Sequence, residues 1–229
     1  MPPKLLTAEE IIQRCARTYS NARSFTGHTQ VSTVLAMPGS PKVQMSAEAR
    51  IAFVRPGKLR VEGFMMTAMP TTATPKNTFL VVSNGNRSWL KTSLRPQVEE
   101  SSDVSMHIAA VTGIGLGAPT TLPALLMGQM WGYPLTGTPR LLGRQRVRGM
   151  ECYKISLESP IGQTTVWIDT SQFLLQRMHQ KHDMKAIRNR TPKPPGAQAG
   201  SLPEQMEITY EFLEQKVNPP VPETLFRKP

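Results

Sequence analysis

The sequence predicts an α+β fold that is mainly β, with a curved antiparallel sheet of about nine to eleven strands forming an incomplete barrel. Two observations support this prediction. Short segments of alternating apolar residues recur between breaks rich in Pro and Gly, and helical spacing is confined to the N-terminus and the middle of the chain. Because a sheet of this size has to curl, we expect the helices to form a lid over its hydrophobic concave face. Residues 1–229 are expected to form a single domain.

The first predicted element is a helix over residues 8–22. Thr7 and Glu10 have the spacing of a capping box, in which the Thr hydroxyl accepts from the Glu10 backbone N–H and the Glu carboxylate accepts from the Thr7 backbone N–H. The apolar residues that follow recur at helical spacing. We therefore expect one face of this helix to be buried.

Strands are predicted for most of the remaining chain. Before residue 100, the alternating segments are 25–36, 43–54, 58–66 and a hairpin over 79–90. In that hairpin, Asn84-Gly85 is a pair typical of tight turns, which need positive φ angles. Alternation returns after residue 140 and ends with a clean strand at 204–212, which predicts one solvated face.

Two segments depart from the strand pattern. Residues 104–132 carry almost no charge and contain two short helical patches, near 104–111 and 122–130, so we expect them to form an apolar lid segment. Residues 185–203 are basic, rich in Pro and Gly and without an apolar period, which predicts a mobile loop.

The charge of the chain is strongly positive. It has 229 residues with 27 basic and 16 acidic side chains, a net charge of +11. Such a surface attracts nucleic acid, an anionic membrane surface or an acidic protein. Nucleic acid is not expected as a partner, because the basic residues are not interleaved with stacking aromatic residues. An anionic membrane surface remains compatible with the charge.

The two cysteines, Cys15 and Cys152, either form one disulfide or remain two buried thiols, and their spacing does not decide between these states. No apolar run of about 18 residues is present, so no membrane-spanning helix is predicted. The opening residues do not have the pattern of a signal peptide. We expect an export signal to be absent from this chain.

No pattern in the sequence predicts catalytic residues, a metal site or a cofactor. There is no GxSxG or P-loop motif, and the glycine cluster at 113–117 is interpreted as a loop because no strand precedes it. His179 and His182 should face opposite sides of a strand, so they are not expected to share a metal. Asp169 follows a strand at a hairpin turn, where Asp commonly accepts from nearby backbone N–H groups.

Arg55 has an unusual position. Counting by twos from Ile51 through Phe53 places this charged side chain on a strand face that otherwise carries apolar residues. One interpretation is that its stem packs on the sheet while its head reaches water at the strand end.

The order of the segments is more informative than any single motif. The chain runs from "YSNARSFTGHTQVST" to "FVRPGKLRVEG" and "FLVVSNGNRSWL". After the apolar middle it continues with "LLGRQRVRGMECYKISLES", "TTVWIDTSQFLLQRM" and "VNPPVPETLF". This order resembles the periplasmic lipoprotein-carrier superfamily, which is LolA/LolB-like, and especially its outer-membrane lipoprotein-sorting relatives. The resemblance extends over residues 8–227, and the Pro- and Gly-rich insert at 185–203 departs from it.

The resemblance implies a non-catalytic, periplasmic or otherwise extracytoplasmic protein that carries lipid or lipoprotein acyl chains in a hydrophobic cavity between membranes. Its implied partners are those chains, a membrane release complex and an acceptor. In such carriers an arginine before the strand-ending proline holds the lid closed through bonds to lid backbone, and Arg55 in "FVRP" matches that position.

The expected cavity walls are large apolar residues, each of which could equally be ordinary core. From the strands they are Phe53, Leu59, Phe64, Leu80, Trp89, Val166, Ile168 and Tyr210, and from the lid segment Leu122, Leu125, Leu126, Met130 and Trp131. Two other functions remain open. One is a sensor or regulatory binding module of the same fold, and the other is a polyanion-binding protein or a hydrolase.

Overall fold

The computed structural model describes residues 5–37, 39, 41–68, 77–113, 115–128, 133–160, 162–184 and 203–229. Its helices are α1 (Ala8–Ser20), α2 (Val104–Thr112) and α3 (Ala118–Met127), and a short 3-10 helix, Glu223–Phe226, follows the last strand. Apart from Pro203, the predicted loop at 185–203 lies outside the described residues.

Eleven antiparallel strands form one sheet. Its order is β6-β5-β4-β3-β2-β1-β11-β10-β9-β8-β7, and the edge strands β6 and β7 do not pair with each other in the described residues. The predicted incomplete barrel with helices is therefore confirmed. The strands are β1 (Ser24–Ala36), β2 (Val43–Val54), β3 (Lys58–Ala68), β4 (Asn77–Asn84), β5 (Ser88–Thr92), β6 (Arg95–Ser101), β7 (Thr138–Val147), β8 (Met150–Ser159), β9 (Gly162–Asp169), β10 (Leu175–Asp183) and β11 (Gln205–Val217).

The capping box of α1 forms as predicted. The Thr7 hydroxyl accepts from the Glu10 backbone N–H at 3.2 Å, and the Glu10 carboxylate accepts from the Thr7 N–H at 2.8 Å. The helix ends at Ser20, two residues before the predicted end at 22, because the Asn21 N–H closes the last turn on the Arg17 carbonyl and the chain then enters β1.

Both predicted helices of the lid segment are present, but the second begins at residue 118 rather than 122. Gly117 precedes it with a φ of 82°, which a residue with a side chain rarely adopts. Pro119 follows in the first turn, where a missing N–H costs no helical hydrogen bond. The helix ends before Gly128, whose φ is 72°.

The core lies between the concave face of the sheet and the helices. On β1, β2 and β3, the alternate residues that face it include Phe25, Phe53 and Leu59, all fully buried. The helix α3 packs on these three strands and beside α1 and α2, while α2 packs on β4, β5 and β6. The outer face of β3 and β4 is in contact with the 3-10 helix, which buries Phe226.

In two predicted turns, side-chain oxygens accept hydrogen bonds from backbone N–H groups. The Asp169 carboxylate accepts from the backbone N–H groups of Ser171, Gln172 and Leu174 at 3.0, 2.6 and 2.8 Å, so its predicted local role is confirmed. In the 79–90 hairpin only Gly85 of the Asn84-Gly85 pair has a positive φ. The Asn84 side-chain oxygen instead accepts from the backbone N–H groups of Asn86 and Arg87.

The two cysteines are separate, buried thiols, which decides the alternative left open by their spacing. Burial raises the pKa of both Cys15 and Cys152. In the described part of the chain, no helix is long and apolar enough to cross a membrane.

Candidate functional site

Eight of the predicted cavity residues meet in one buried hydrophobic cluster on the concave face. The strands contribute five of them, and α3 supplies three that are at most 1% exposed. The eight residues are Phe53, Leu59, Val166, Ile168, Tyr210, Leu122, Leu125 and Leu126. The sequence therefore selected side chains that the fold brings together.

The structure separates three other predicted wall residues from this cluster. Phe64 and Leu80 line an open outer groove of about 430 Å³ whose other side chains include Glu48 and Lys91. Trp89 is buried on the same outer side, where its indole N–H donates to Glu100 at 2.9 Å.

These three residues fall on the outer side because their strand neighbours face inward. Met65, Phe79 and Leu90 belong to or pack against the concave cluster, and adjacent residues of a strand point to opposite faces. The expectation that Phe64, Leu80 and Trp89 line the cavity is therefore not supported by their position. Met130 and Trp131, the remaining predicted walls, lie outside the described residues.

The helix α3 fills the concave face. Every residue from 118 to 126 is buried, so this helix has no solvated side, unlike the amphipathic α1. It lies on a floor of small residues, including Gly27, Ala47 and Ala49 on β1 and β2. A Cβ added to Gly27 would lie 3.3 Å from a methyl group of Leu122, which shows how closely the helix approaches the sheet.

Polar contacts at the N-terminal end of α3 are few. The Tyr210 hydroxyl donates to the Leu116 carbonyl at 3.3 Å, and the hydroxyls of Thr112 and Thr120 join α2 to α3 at 2.7 Å. Burial raises the pKa of Tyr210, so its hydroxyl remains a neutral donor. Sequence patterns gave no signal for these contacts. Only the fold brings Tyr210 to the Leu116 carbonyl and Thr112 to Thr120.

Arg55 holds the opposite end of α3. Its Nη2 donates to the carbonyl of Leu126 in the last turn at 2.7 Å. The same guanidinium donates to the carbonyls of Ser20 at 2.5 Å and Ala22 at 2.9 Å, at the end of α1. The guanidinium carbon lies 5.3 Å from the centre of the Phe53 ring.

This geometry makes one arginine the common partner of two helix C-termini. Helix C-termini carry partial negative charge, so a guanidinium placed there is favourable for both α1 and α3. The donors of Arg55 therefore reach the backbone of the lid segment, as the family resemblance implied for this position. The bonds to α1 were not anticipated, since backbone carbonyl acceptors have no signature in a sequence.

The histidine pair on β10 does not form a joint site. His179 contacts Glu207 on the outer face at 3.5 Å, whereas His182 lies on the other face. Within the described ranges, no group of three or more His, Cys, Asp or Glu side chains is placed to hold a metal ion.

Comparison with known proteins finds distant structural matches. No protein-family model and no curated protein sequence matches the chain. Among solved structures, a DUF1329 family protein from Desulfovibrio piger is 12% identical, with a TM-score of 0.39, and the match covers 97% of this chain and 98% of that one.

Two further structures carry the names that the sequence resemblance suggested. A LolA superfamily protein from Nitrosomonas europaea is 12% identical with a TM-score of 0.35, covering 98% of this chain and 99% of that one. A structure described as an outer membrane lipoprotein-sorting protein domain, from Vibrio parahaemolyticus, is 11% identical with a TM-score of 0.35, covering 96% and 95%. At these identities and TM-scores, the likeness assigns neither a family nor a function to this chain.

Proposed function

We propose that this chain is a non-catalytic, extracytoplasmic binding protein that carries lipid or lipoprotein acyl chains on its concave face. The observation that supports this most directly is the construction of α3. It is buried on all sides over an apolar surface, yet its described polar ties to the sheet are Tyr210 at one end and Arg55 at the other. Such a helix can be exchanged for an apolar ligand at little polar cost.

Apolar burial and polar bonds make opposing contributions to the free energy of this exchange. Burying one CH₂ group contributes about 0.8 kcal/mol, so a long acyl chain offers on the order of 10 kcal/mol. The charged hydrogen bond from Arg55 to Leu126 contributes about 1.5–3 kcal/mol and the neutral bond from Tyr210 about 1 kcal/mol. The ligand covers the apolar sheet surface that α3 leaves, and the two bonds are the polar part of the free energy that resists opening.

In this proposal Arg55 is the lid latch. It donates to the Leu126 carbonyl in the closed state and releases it when ligand enters, while its bonds to α1 keep the guanidinium in place. The net charge of +11 supports docking to an anionic membrane surface during uptake or delivery. A membrane release complex and an acceptor complete the proposed cycle.

The proposal is tested by native mass spectrometry of protein purified without detergent, followed by organic extraction and titration with a fluorescent fatty acid. We expect either co-purified acyl material in stoichiometric amount or saturable uptake of the probe. A clean apo mass together with no probe uptake would overturn the proposal.

A matched variant locates the bound probe. The outer groove also exposes apolar side chains, and Leu80→Gln makes that groove polar without touching the concave cluster. Uptake that survives in Leu80→Gln supports binding on the concave face. Uptake lost in Leu80→Gln places the probe in the outer groove and contradicts the proposed site.

A further inference from the structure

The concave face changes character at the end remote from α1. The register between strands places Thr33 of β1, Ile208 of β11, Gln180 of β10 and Thr164 of β9 in one row across the sheet. Because alternate residues share a face, His182 follows on the same side of β10. Three of the four residues in this row are polar, and we call Thr33, Gln180, Thr164 and His182 the polar rim.

The next row inward is apolar. Val31, Tyr210, Met178 and Val166 occupy the same strands two residues closer to α1, and all four belong to the buried hydrophobic cluster. Two residues of a strand span roughly 7 Å. On these four strands the lining of the face therefore passes from mostly polar to hydrocarbon-like over a single pleat, while the apolar Met45 and Leu157 flank the polar row on β2 and β8.

Two polar atoms of this rim are buried without a partner. Thr33 is 2% exposed, and neither its hydroxyl nor the Nδ1 atom of His182 has a hydrogen-bond partner in the described structure. Burying such groups without a bond is unfavourable, and Val would fill the place of Thr33 with a methyl group instead. Groups of this kind are accounted for when a bound molecule supplies their partner.

The rim is wider than a single hydrogen bond. Thr33 and Gln180 lie two strands apart, roughly 10 Å, with β11 between them. A second buried hydroxyl without a partner in the described residues, that of Thr29, lies four residues inward, where its row neighbours are the apolar Ala49 and Phe212. Several polar side chains therefore converge at the rim, whereas Thr29 stands among apolar ones.

We propose that the polar rim binds the carbonyl end of the acyl ligand, with rim side chains that include Thr33 and His182 facing its polar atoms and the hydrocarbon tail running towards α1. This inference rests on the proposed carrier function and adds the orientation and the chemical class of the ligand: a carboxylic acid, ester or amide of a long chain. From Thr33 to Phe25 the concave face extends eight residues, roughly 26 Å. One bilayer leaflet, which sets the length of a typical acyl chain, is roughly 15 Å thick, so such a chain fits along this face.

The test measures displacement of an apolar fluorophore by four ligands with the same chain: palmitic acid, methyl palmitate, palmitamide and hexadecane. In Thr33→Val we expect about a fivefold loss of affinity for at least one carbonyl ligand, as one lost hydrogen bond implies, and no loss for hexadecane. His182→Phe should act in the same direction. The ligand that loses most distinguishes a free fatty acid from a lipid ester or a lipoprotein amide.

Thr29→Val gives the positional comparison, because it makes the same change at the apolar level of the same strand. An equal loss in Thr29→Val and Thr33→Val, or unchanged carbonyl affinities in Thr33→Val, overturns the orientation. Absence of displacement by every ligand in the unmodified protein instead overturns the carrier function itself. Thermal unfolding of each variant confirms that it is folded.

Discussion

Replacing Arg55 with Leu removes the bond that joins the sheet to the end of α3. That bond, from Nη2 to the Leu126 carbonyl, is 2.7 Å long and its donor is charged. Charged hydrogen bonds contribute about 1.5–3 kcal/mol, and the lower value applies because Arg55 is exposed to solvent. Since about 1.4 kcal/mol is a factor of ten in an equilibrium constant, we expect α3 to be open roughly ten times more often.

Hydrogen–deuterium exchange measured by mass spectrometry reports this opening. Arg55→Leu also loses the bonds to α1, so exchange can rise across the whole protein, and the informative quantity is exchange in α3 relative to β1. Arg148→Leu is a matched control, because Arg148 also donates to a backbone carbonyl, that of Phe212 at 2.6 Å, but does so away from the lid.

The expected result is a roughly tenfold faster exchange of α3 relative to β1 in Arg55→Leu and an unchanged ratio in Arg148→Leu. With a fluorescent fatty acid bound, Arg55→Leu should also transfer its ligand more slowly to acceptor vesicles, since the closed state no longer competes with the ligand. An unchanged exchange ratio together with unchanged transfer kinetics would refute the latch.

Three further predictions concern stability. Thr7→Ala removes the α1 cap and should cost about 1 kcal/mol, lowering the melting temperature by about 2–4 °C. Asp169→Ala leaves three backbone N–H groups without their acceptor and should cost about 3 kcal/mol in urea unfolding, more than Asp169→Asn. Burial raises the pKa of Cys152 from 9.0 to about 11, so its contribution to stability should be complete below pH 9 and lost as the pH rises through 11.

Each of these has a result that contradicts it. An unchanged melting temperature in Thr7→Ala would show that the cap does not support the folded state. Equal stability of Asp169→Ala and Asp169→Asn would mean that the acceptor oxygens are not what matters. The alkaline loss of unfolding free energy should be smaller in Cys152→Ala, and an identical pH profile would assign that loss to other groups.

The parts of the fold that sequence predicted well depend on local rules. The capping box set the start of α1, and Asp169 was placed in its turn by the tendency of Asp to accept from nearby backbone groups. The start of α3 was missed because its buried N-terminal turn contains threonines and prolines, which do not give an apolar helical period. Its boundary is set by Gly117 and by packing on the sheet.

The sequence predicts which strand residues point towards the core only where the opposite face of the strand is exposed to solvent. In β4 the run "FLVV" is apolar on both sides, because Phe79 and Val81 face the helices while the opposite side is partly covered by the 3-10 helix. Period-two alternation then cannot say which residues point inward, and Leu80 was assigned to the wrong side of the sheet for the proposed cavity.

The polar rim could not be predicted for a different reason. Its members come from β1, β9 and β10, and they share a row only through the pairing of the first strand with the last, Thr33 opposite Ile208. That register joins residues that are far apart in the chain. Arg55 was found from sequence because its oddity is local, one charge in an apolar alternation.

The position of β1 and β11 at the centre of the sheet leaves β6 and β7 as its two edges. These edges are consecutive in the chain, and the stretch from Ser101 to Thr138 that joins them contains α2 and α3. The segment that covers the sheet is thus attached to both edge strands. It differs in this from a loop that is attached to the sheet at one point and moves about a single hinge. In the proposed carrier, the cover would rise without detaching from either edge, so the length of the connecting segment would limit how bulky the bound ligand can be.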